Sequence, residues 1–513
     1  MAFKLIIISI LVMVGFMNPE SQAKASTQFR YIITETSAPS SLDPLDADNT
    51  ANLPVARMIY ATPLEAAINN QLTSRVLESF RYDTEKKRVE WKVKSGIKYE
   101  DGSPITAEDV AFAVARMAYT RPKFPIIEAI EGLGSWVKTA DALKKFPKGI
   151  TVSDNIVRIQ FASDVDHPLF RFCLELFSII PQRCVDPRTN KLICAKIPES
   201  GLYKIADQGQ KQIKFLKRGD ANEQSAPDQI SFDYKTPAEL VADLTTLDDA
   251  TVIAGNESFF APGILHDLEG KLTVKYTPAA RFSVLQINQS VGPFKDKKCR
   301  QLFSKTFRAS YQEIAKDSPA EGSVFTKILP GYLSLKDLET ENSLSPSEAQ
   351  ACKAKLAKES FPWGYAEPER DAIFFQALKR TFEILGIKAL SPVIKSTRKE
   401  FSDLFAEGKV AFFNAGSGFW ALDPAGDMKM LLTPNLHKPL KHVSDDEKLQ
   451  SLIAQLSSSS STYAKVNRYL FEEARFNVYT HVRRFFAAKN KNLLGDVPFA
   501  ITSPAPWQVF KVN

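Results

Sequence analysis

Residues 96–117, G-I-K-Y-E-D-G-S-P-I-T-A-E-D-V-A-F-A-V-A-R-M, compress a strand end, a turn and a helix start into one run. Asp101-Gly102 is a turn pair. Pro104 presets φ shortly before the helix. Thr106 is a strong N-cap. Asp109, three residues on, makes a near capping box, with Asp in place of the usual Glu or Gln. Ala107, Val110, Ala111, Val114 and Ala118 then share one helix face, so this helix has to lie against other structure. By itself the run describes a well-capped helix and names no activity.

A chain of 513 residues is too long for one compact core, so two or more domains are expected. Its 44% hydrophobic and 24% charged residues are those of a globular protein, and 35 Phe supply large core side chains. Residues 29–34 read as a first strand and 51–68 as a helix. In 89–94, Val89, Trp91 and Val93 face one way and Glu90, Lys92 and Lys94 the other, the pattern of a half-buried strand. Further strands are expected at 156–161, 213–216 and 283–288. Asp296 caps a helix carrying Cys299, Leu302, Phe303, Phe307 and Ile314 at helical spacing. Later, helices around 371–385 and 399–407 each stop at a glycine, Gly386 and Gly408, before a strand. Such alternation predicts an α/β layer with largely parallel strands.

Residues 1–25 read as a signal peptide outside the fold. Lys4 gives the positive start, Leu5 to Phe16 the apolar stretch, and Ala23-Lys24-Ala25 a small-x-small cleavage site before Ser26. No Cys lies near that site, so a lipid anchor is not expected. The formal charge of +7 becomes +6 once Lys4, Glu20 and Lys24 leave with a net +1. Spread over so many residues, and with no basic-aromatic interleaving, this argues against nucleic acid as a partner. Five Cys are present, without a C-x-x-C. Cys184 and Cys194 bracket a segment whose Asp186-Pro187 and Asn190 can reverse the chain, so a disulfide joins them if the compartment is oxidising. Cys299 reads as a core residue. The five His are scattered without metal spacing. There is no G-x-S-x-G, H-E-x-x-H or G-x-x-x-x-G-K. No catalytic residue, metal or cofactor is therefore expected.

The order DG-x-P-hydrophobic-TAEDV, ending in Arg116, resembles the signature of extracellular solute-binding proteins of family 5. Those proteins carry oligopeptides, dipeptides or nickel to ABC importers. Two more segments carry the resemblance. Ile197 to Tyr203 is similar to the family's P-x-G-x-GPY, with Gly201-Leu202 where the family has Gly-Pro. Asn288, Pro293, Phe294, Asp296, Arg300 and Gln301 follow its N-x-x-x-PF-x-D-x-x-x-R-Q-A. The resemblance implies an α/β fold of two lobes joined by crossover strands, with an extra subdomain on the first lobe. Mapped here, the first lobe is 26–70, 200–275 and 490–513, the extra subdomain 71–199, and the second lobe 276–489.

The resemblance also implies a ligand cleft between the lobes, with a peptide as the ligand, a membrane ABC permease as the partner, a monomer and a periplasmic location. The family places an aromatic residue and an Asp three residues later after a strand of the second lobe. Gly418, Phe419, Trp420 and Asp423 match that segment. Asp423 either holds the ligand's ammonium group or opens a turn and caps the next helix. Trp420 is either a cleft wall or core. Asp48, Asn49 and Thr50, after Ser41-Leu42-Asp43-Pro44, match the opposite wall, or form an ordinary polar loop. Two other classes stay open: a sensory or interaction protein of the same fold, and an exported hydrolase.

Overall fold

The computed structural model describes residues 28–46, 51–66, 71–139, 142–165, 167–220, 226–257, 260, 262–316, 319–341, 344–361, 364–365, 372–389, 393–394, 398–419, 424–432, 441–456, 460–495 and 506–510. The signal segment 1–25 lies outside them, as do Asp48, Asn49, Thr50, Trp420 and Asp423.

Three sheets organise the chain. In the largest, seven strands run in the order Thr273–Tyr276, Arg484–Ala488, Thr251–Asn256, Gln28–Ile33, Gln229–Tyr234, Gln212–Lys217 and Tyr203–Gln208. Gln28–Ile33 is parallel to both its neighbours, and the outer pairings are antiparallel. Its apolar residues serve two cores by alternation. Tyr31 and Ile33 pack on one face and Ile32 on the other. Along Arg484–Ala488, Phe486 and Ala488 join the first core and Phe485 and Ala487 the second. Pairing carries the chain back into this sheet at Arg484, ahead of the boundary expected at 490.

A four-stranded antiparallel sheet follows the order Leu77–Asp83, Arg88–Val93, Ile156–Gln160, Ile150–Ser153. Val89, Trp91 and Val93 are buried along its second strand. The helix Ala107–Thr120 packs beside it, started by a full capping box. The Thr106 hydroxyl accepts from the Asp109 amide at 3.2 Å, and the Asp109 carboxylate accepts from the Thr106 amide at 3.1 Å. The other Asp109 oxygen accepts from the Gln182 amide at 3.0 Å, which fastens a distant turn to the same cap.

The third sheet has three strands, Phe412–Gly418, Arg281–Ile287 and Phe476–Val482, with Arg281–Ile287 in the centre and antiparallel to both. This corrects the expectation of largely parallel strands. The outer two run in the same direction, as helix-linked strands do, but the central strand is inserted between them and runs against each. Phe282 and Val284 feed one core and Leu285 and Ile287 another, across a register shift at Ser283/Val284. Phe412 anchors the second of these. It stacks on Phe303 at 4.6 Å and meets Phe294, Phe361 and Phe382 at 5.3, 5.8 and 5.6 Å.

Two local expectations change. The helix foreseen at 51–68 is Asn52–Ile59, because Tyr60 is extended (φ −122°, ψ 140°) and Pro63 follows closely, disfavouring helical backbone before it. Cys299 is buried, but it is also bonded to Cys352, Cα to Cα 5.0 Å, joining the helix Lys297–Ala315 to the helix Pro346–Leu356. Cys184 and Cys194 are bonded as well, 4.9 Å apart at Cα. Asn190 between them is left-handed at φ +57°.

Candidate functional site

Among the described residues the chain passes between the seven-stranded and three-stranded sheets at two places. One is the short segment from Tyr276 to Arg281, and the other is Val482 to Arg484. The crossings brace each other. The Thr277 amide donates to the Arg484 carbonyl at 2.9 Å, and the Arg484 amide donates to the Thr277 hydroxyl at 3.2 Å. Glu257 accepts from the Arg483 amide at 2.9 Å and from its Nε at 2.8 Å, while the Arg483 guanidinium lies 4.1 Å from the Tyr276 ring centre.

Two cavities share Arg57, and Arg484 places the second of them beside the crossings. The first is lined by Tyr60, Glu65, Arg75, Glu175 and Trp507 among others. Arg57 is ion-paired with Glu175, and Arg75 Nε reaches both Glu65 oxygens at 2.9 and 3.1 Å while lying over Trp507 at 4.8 Å. Cys173 also lines it. Burial, with Glu65 and Glu175 adding to it, pushes this thiol well above its ordinary value, so it is neutral and unreactive at neutral pH. The second cavity is lined by Tyr31, Ile33, Thr34, Leu53, Asn256 and Arg484 among others. Burial raises the Tyr31 phenol, keeping it a neutral hydroxyl.

Of the residues expected at the site, Gly418 closes the strand Phe412–Gly418, paired with Arg281 at the first crossing. A Cβ there would come within 2.8 Å of Arg281 Cγ, so close approach of the strands calls for glycine. Phe419 donates its amide to the Ala280 carbonyl at 3.0 Å. Phe419 is only 3% exposed, and its ring stacks on Phe325 at 5.7 Å within the core. The flanks of residues 420–423 are described: Phe419 on one side, and on the other the helix Pro424–Leu431, whose Asp427 forms a buried ion pair with Arg171. Asp48, Asn49, Thr50, Trp420 and Asp423 themselves lie outside the described residues.

Arg57, Arg75, Glu175 and Arg484 escaped the sequence reading because none sits in a motif. The one available signal was V-R-R-F-F at 482–486, where arginines break an apolar strand. Asp296, Cys299 and Cys352 bring donor atoms within 4.8 Å of one another, but both sulfurs are taken up in the disulfide and offer no thiolate. Among the described residues no helix is long and apolar enough to cross a membrane.

The fold has known counterparts. Over 94% of this chain and 99% of the other, it is similar to NikA from Brucella suis, solved in complex with Fe(III)-EDTA, at TM-score 0.73 and 15% identity. Over 95% of this chain and 98% of the other, it is similar to OppA from Haemophilus influenzae in complex with RPPGFSPFR, at TM-score 0.70 and 14% identity. AgaA from A. tumefaciens R10, in complex with agropinic acid, matches over 94% of this chain and 96% of its own at TM-score 0.71 and 15% identity. At such identities the likeness is one of fold, a two-lobed binding-protein fold, and the three ligands differ in chemistry. Membership rests on the sequence itself. Residues 71–436, well over half of the chain, match the middle region of the bacterial extracellular solute-binding proteins of family 5, and this chain belongs to that family.

Proposed function

We propose that this protein is the substrate-binding component of an ABC importer, exported by its first 25 residues, and that it closes two lobes around a small peptide. In this reading the lobes divide as the resemblance implies, with the seven-stranded sheet at the heart of the first and the three-stranded sheet at the heart of the second. The observation that carries the reading is the pair of braced crossings with the cavity lined by Arg484 and Asn256 beside them. Two short links allow lobes to hinge, and a ligand held by both lobes biases the equilibrium towards the closed form. Peptide is favoured as the ligand by the peptide complexes among the similar structures. The expected permease partner, the monomeric state and the absence of turnover follow from the same family reading.

Asp423 is proposed as the anchor of the peptide's ammonium group, with Trp420 beside it and Asp48, Asn49 and Thr50 on the facing wall. Support comes from its position, four residues after Phe419, whose backbone is tied to the first crossing. The test begins with mass spectrometry of whatever co-purifies with the protein after gentle unfolding; recovery of a non-peptide solute counts against the peptide reading. With the peptide in hand, calorimetry of Asp423→Asn is expected to show affinity reduced by about 2–5 kcal/mol, with little change in melting. Normal affinity with a lowered melting temperature would instead make Asp423 a cap or turn residue.

A further inference from the structure

The second cavity is unbalanced in charge. It lies on one face of the seven-stranded sheet, beneath the helix Asn52–Ile59. Strand register builds it. Asn256 is paired directly opposite Arg484, so both side chains leave the sheet on the same side. Tyr31 and Ile33 line it from the next strand, and Leu53 and Arg57, one helical turn apart, cover it. Much of the lining is apolar, including Pro54, Phe486 and Pro506.

Its polar groups are under-used. The Asn256 side-chain oxygen is buried without a hydrogen-bond partner among the described residues. The two ends of an amide exchange places by a half-turn, so Asn256 can offer a donor here. Arg57 is occupied by Glu175. Arg484 is half-buried, and among the described residues no carboxylate or other acceptor pairs with its guanidinium. Burial and then the positive charges of Arg281 and Arg57 hold this guanidinium below its ordinary pKa, against the smaller opposing pull of Tyr31 and Glu175. Its five N–H donors, without an acceptor among the described residues and with the charge of Arg281 near by, can take an anion.

We propose, building on the reading of these crossings as a ligand cleft, that this cavity is an anion subsite in which Arg484 docks a carboxylate of the ligand. A planar carboxylate matches the guanidinium fork and brings a single charge. The neighbouring donors, the Tyr31 hydroxyl and the Asn256 amide, complete its hydrogen bonds. A phosphate would bring more oxygens and more charge than this largely apolar lining can satisfy. The carboxylate is either the free C-terminus of a peptide or part of a non-peptide organic acid. Arg281 belongs to the three-stranded sheet and Arg484 to the seven-stranded one, so a carboxylate near both offsets repulsion across the crossing and favours closure.

The test uses the whole mature protein, as wild type, Arg484→Gln and Arg484→Lys. Without additive, at low ionic strength, Arg484→Gln is expected to melt at or above the wild type, because an unpaired charge is gone. Replacing sodium chloride by acetate or succinate at equal ionic strength is expected to raise the wild-type melting temperature by about 2 °C and leave Arg484→Gln unmoved. Arg484→Lys keeps the charge without the fork and is expected to lose most of that response. A dipeptide panel, offered as free acids and as C-terminal amides, then separates the sources. Free acids binding roughly 10- to 100-fold tighter than amides to the wild type, and equally to Arg484→Gln, assign the subsite to a peptide C-terminus. A carboxylate response at Arg484 with no binding from the panel assigns it to another organic acid and overturns the peptide reading alone. Four results overturn the subsite: a wild type that ignores carboxylates; an undiminished response in Arg484→Lys; a destabilised Arg484→Gln with its response intact; or acids and amides bound alike by the wild type. In that last case the peptide reading survives.

Discussion

At the scale of single residues, two landmarks that are far apart in sequence turn out to be one contact. Arg116, at the end of the TAEDV run, donates through Nη1 and Nη2 to the two oxygens of Asp43 at 2.8 and 2.6 Å, and its Nε donates to Asn190 at 3.0 Å. The Arg116 side chain is only 3% exposed, so the fork is desolvated on one side. Removing one partner strands the other, and Arg116→Leu or Asp43→Asn is each expected to cost about 3 kcal/mol. The double variant should cost little more than either single one. Additive losses in a thermal double-mutant cycle would mean the pair is not coupled.

Glu199 supplies a pH dependence at the same scale. It is buried, and burial pushes its carboxyl up to about 7, against the pull of the Ile205 amide that bonds it. Its folded pKa therefore lies above the ordinary 4.5, and the native state holds the proton more tightly between the two. Stability from this group falls as pH rises from the lower value to the upper and is level beyond. His481 acts with the opposite sign, since burial lowers it and charging it costs stability as pH falls through 6.5. The difference between Glu199→Gln and wild type isolates the carboxyl. The Gln variant is expected to gain roughly 2–3 kcal/mol relative to wild type between pH 4.5 and pH 8. Parallel stability curves across that range would show that Glu199 ionises freely.

At the scale of elements, the two disulfides close loops of very different length, 10 residues for Cys184–Cys194 and 53 for Cys299–Cys352. Chain-entropy reasoning assigns about 3 kcal/mol to the first and about 4 kcal/mol to the second. Replacing both cysteines of a pair by serine is thus expected to lower the melting temperature more for Cys299 and Cys352. An equal or reversed order would show that local packing, not loop closure, governs. The longer bridge joins two helices against the aromatic core around Phe303 and Phe412, so its loss also loosens that packing.

At the scale of the molecule, the buried pair Arg171–Asp427 links the segment beyond the four-stranded sheet to the helix after the three-stranded one. Met430 of that helix also packs against the core of the seven-stranded sheet. A contact of this kind can hold only while the two sheet systems are drawn together. Asp427→Asn is expected to shift the ligand-free protein towards a more open form, read as a larger radius of gyration by small-angle scattering. An unchanged radius would make the pair a static bond within one body.

What the sequence determined by itself is local and ordered. The Thr106–Asp109 capping box, the Asp101-Gly102 turn, the alternation in 89–94, and the glycines Gly386 and Gly408, left-handed at φ +72° and +73°, each depend on a few adjacent residues. The ordered motif segments at 101–116, 197–203 and 288–301 carried the resemblance to the family, and the two-lobed fold followed from that resemblance. Tertiary structure decided the rest: the insertion of Arg281–Ile287 between two strands, the partnership of Cys299 with Cys352, the fork of Arg116 on Asp43, and the gathering of Arg57, Arg281 and Arg484 at the crossings. These contacts join residues tens to hundreds of positions apart. Register and sheet order set them, and no window of neighbouring residues encodes them.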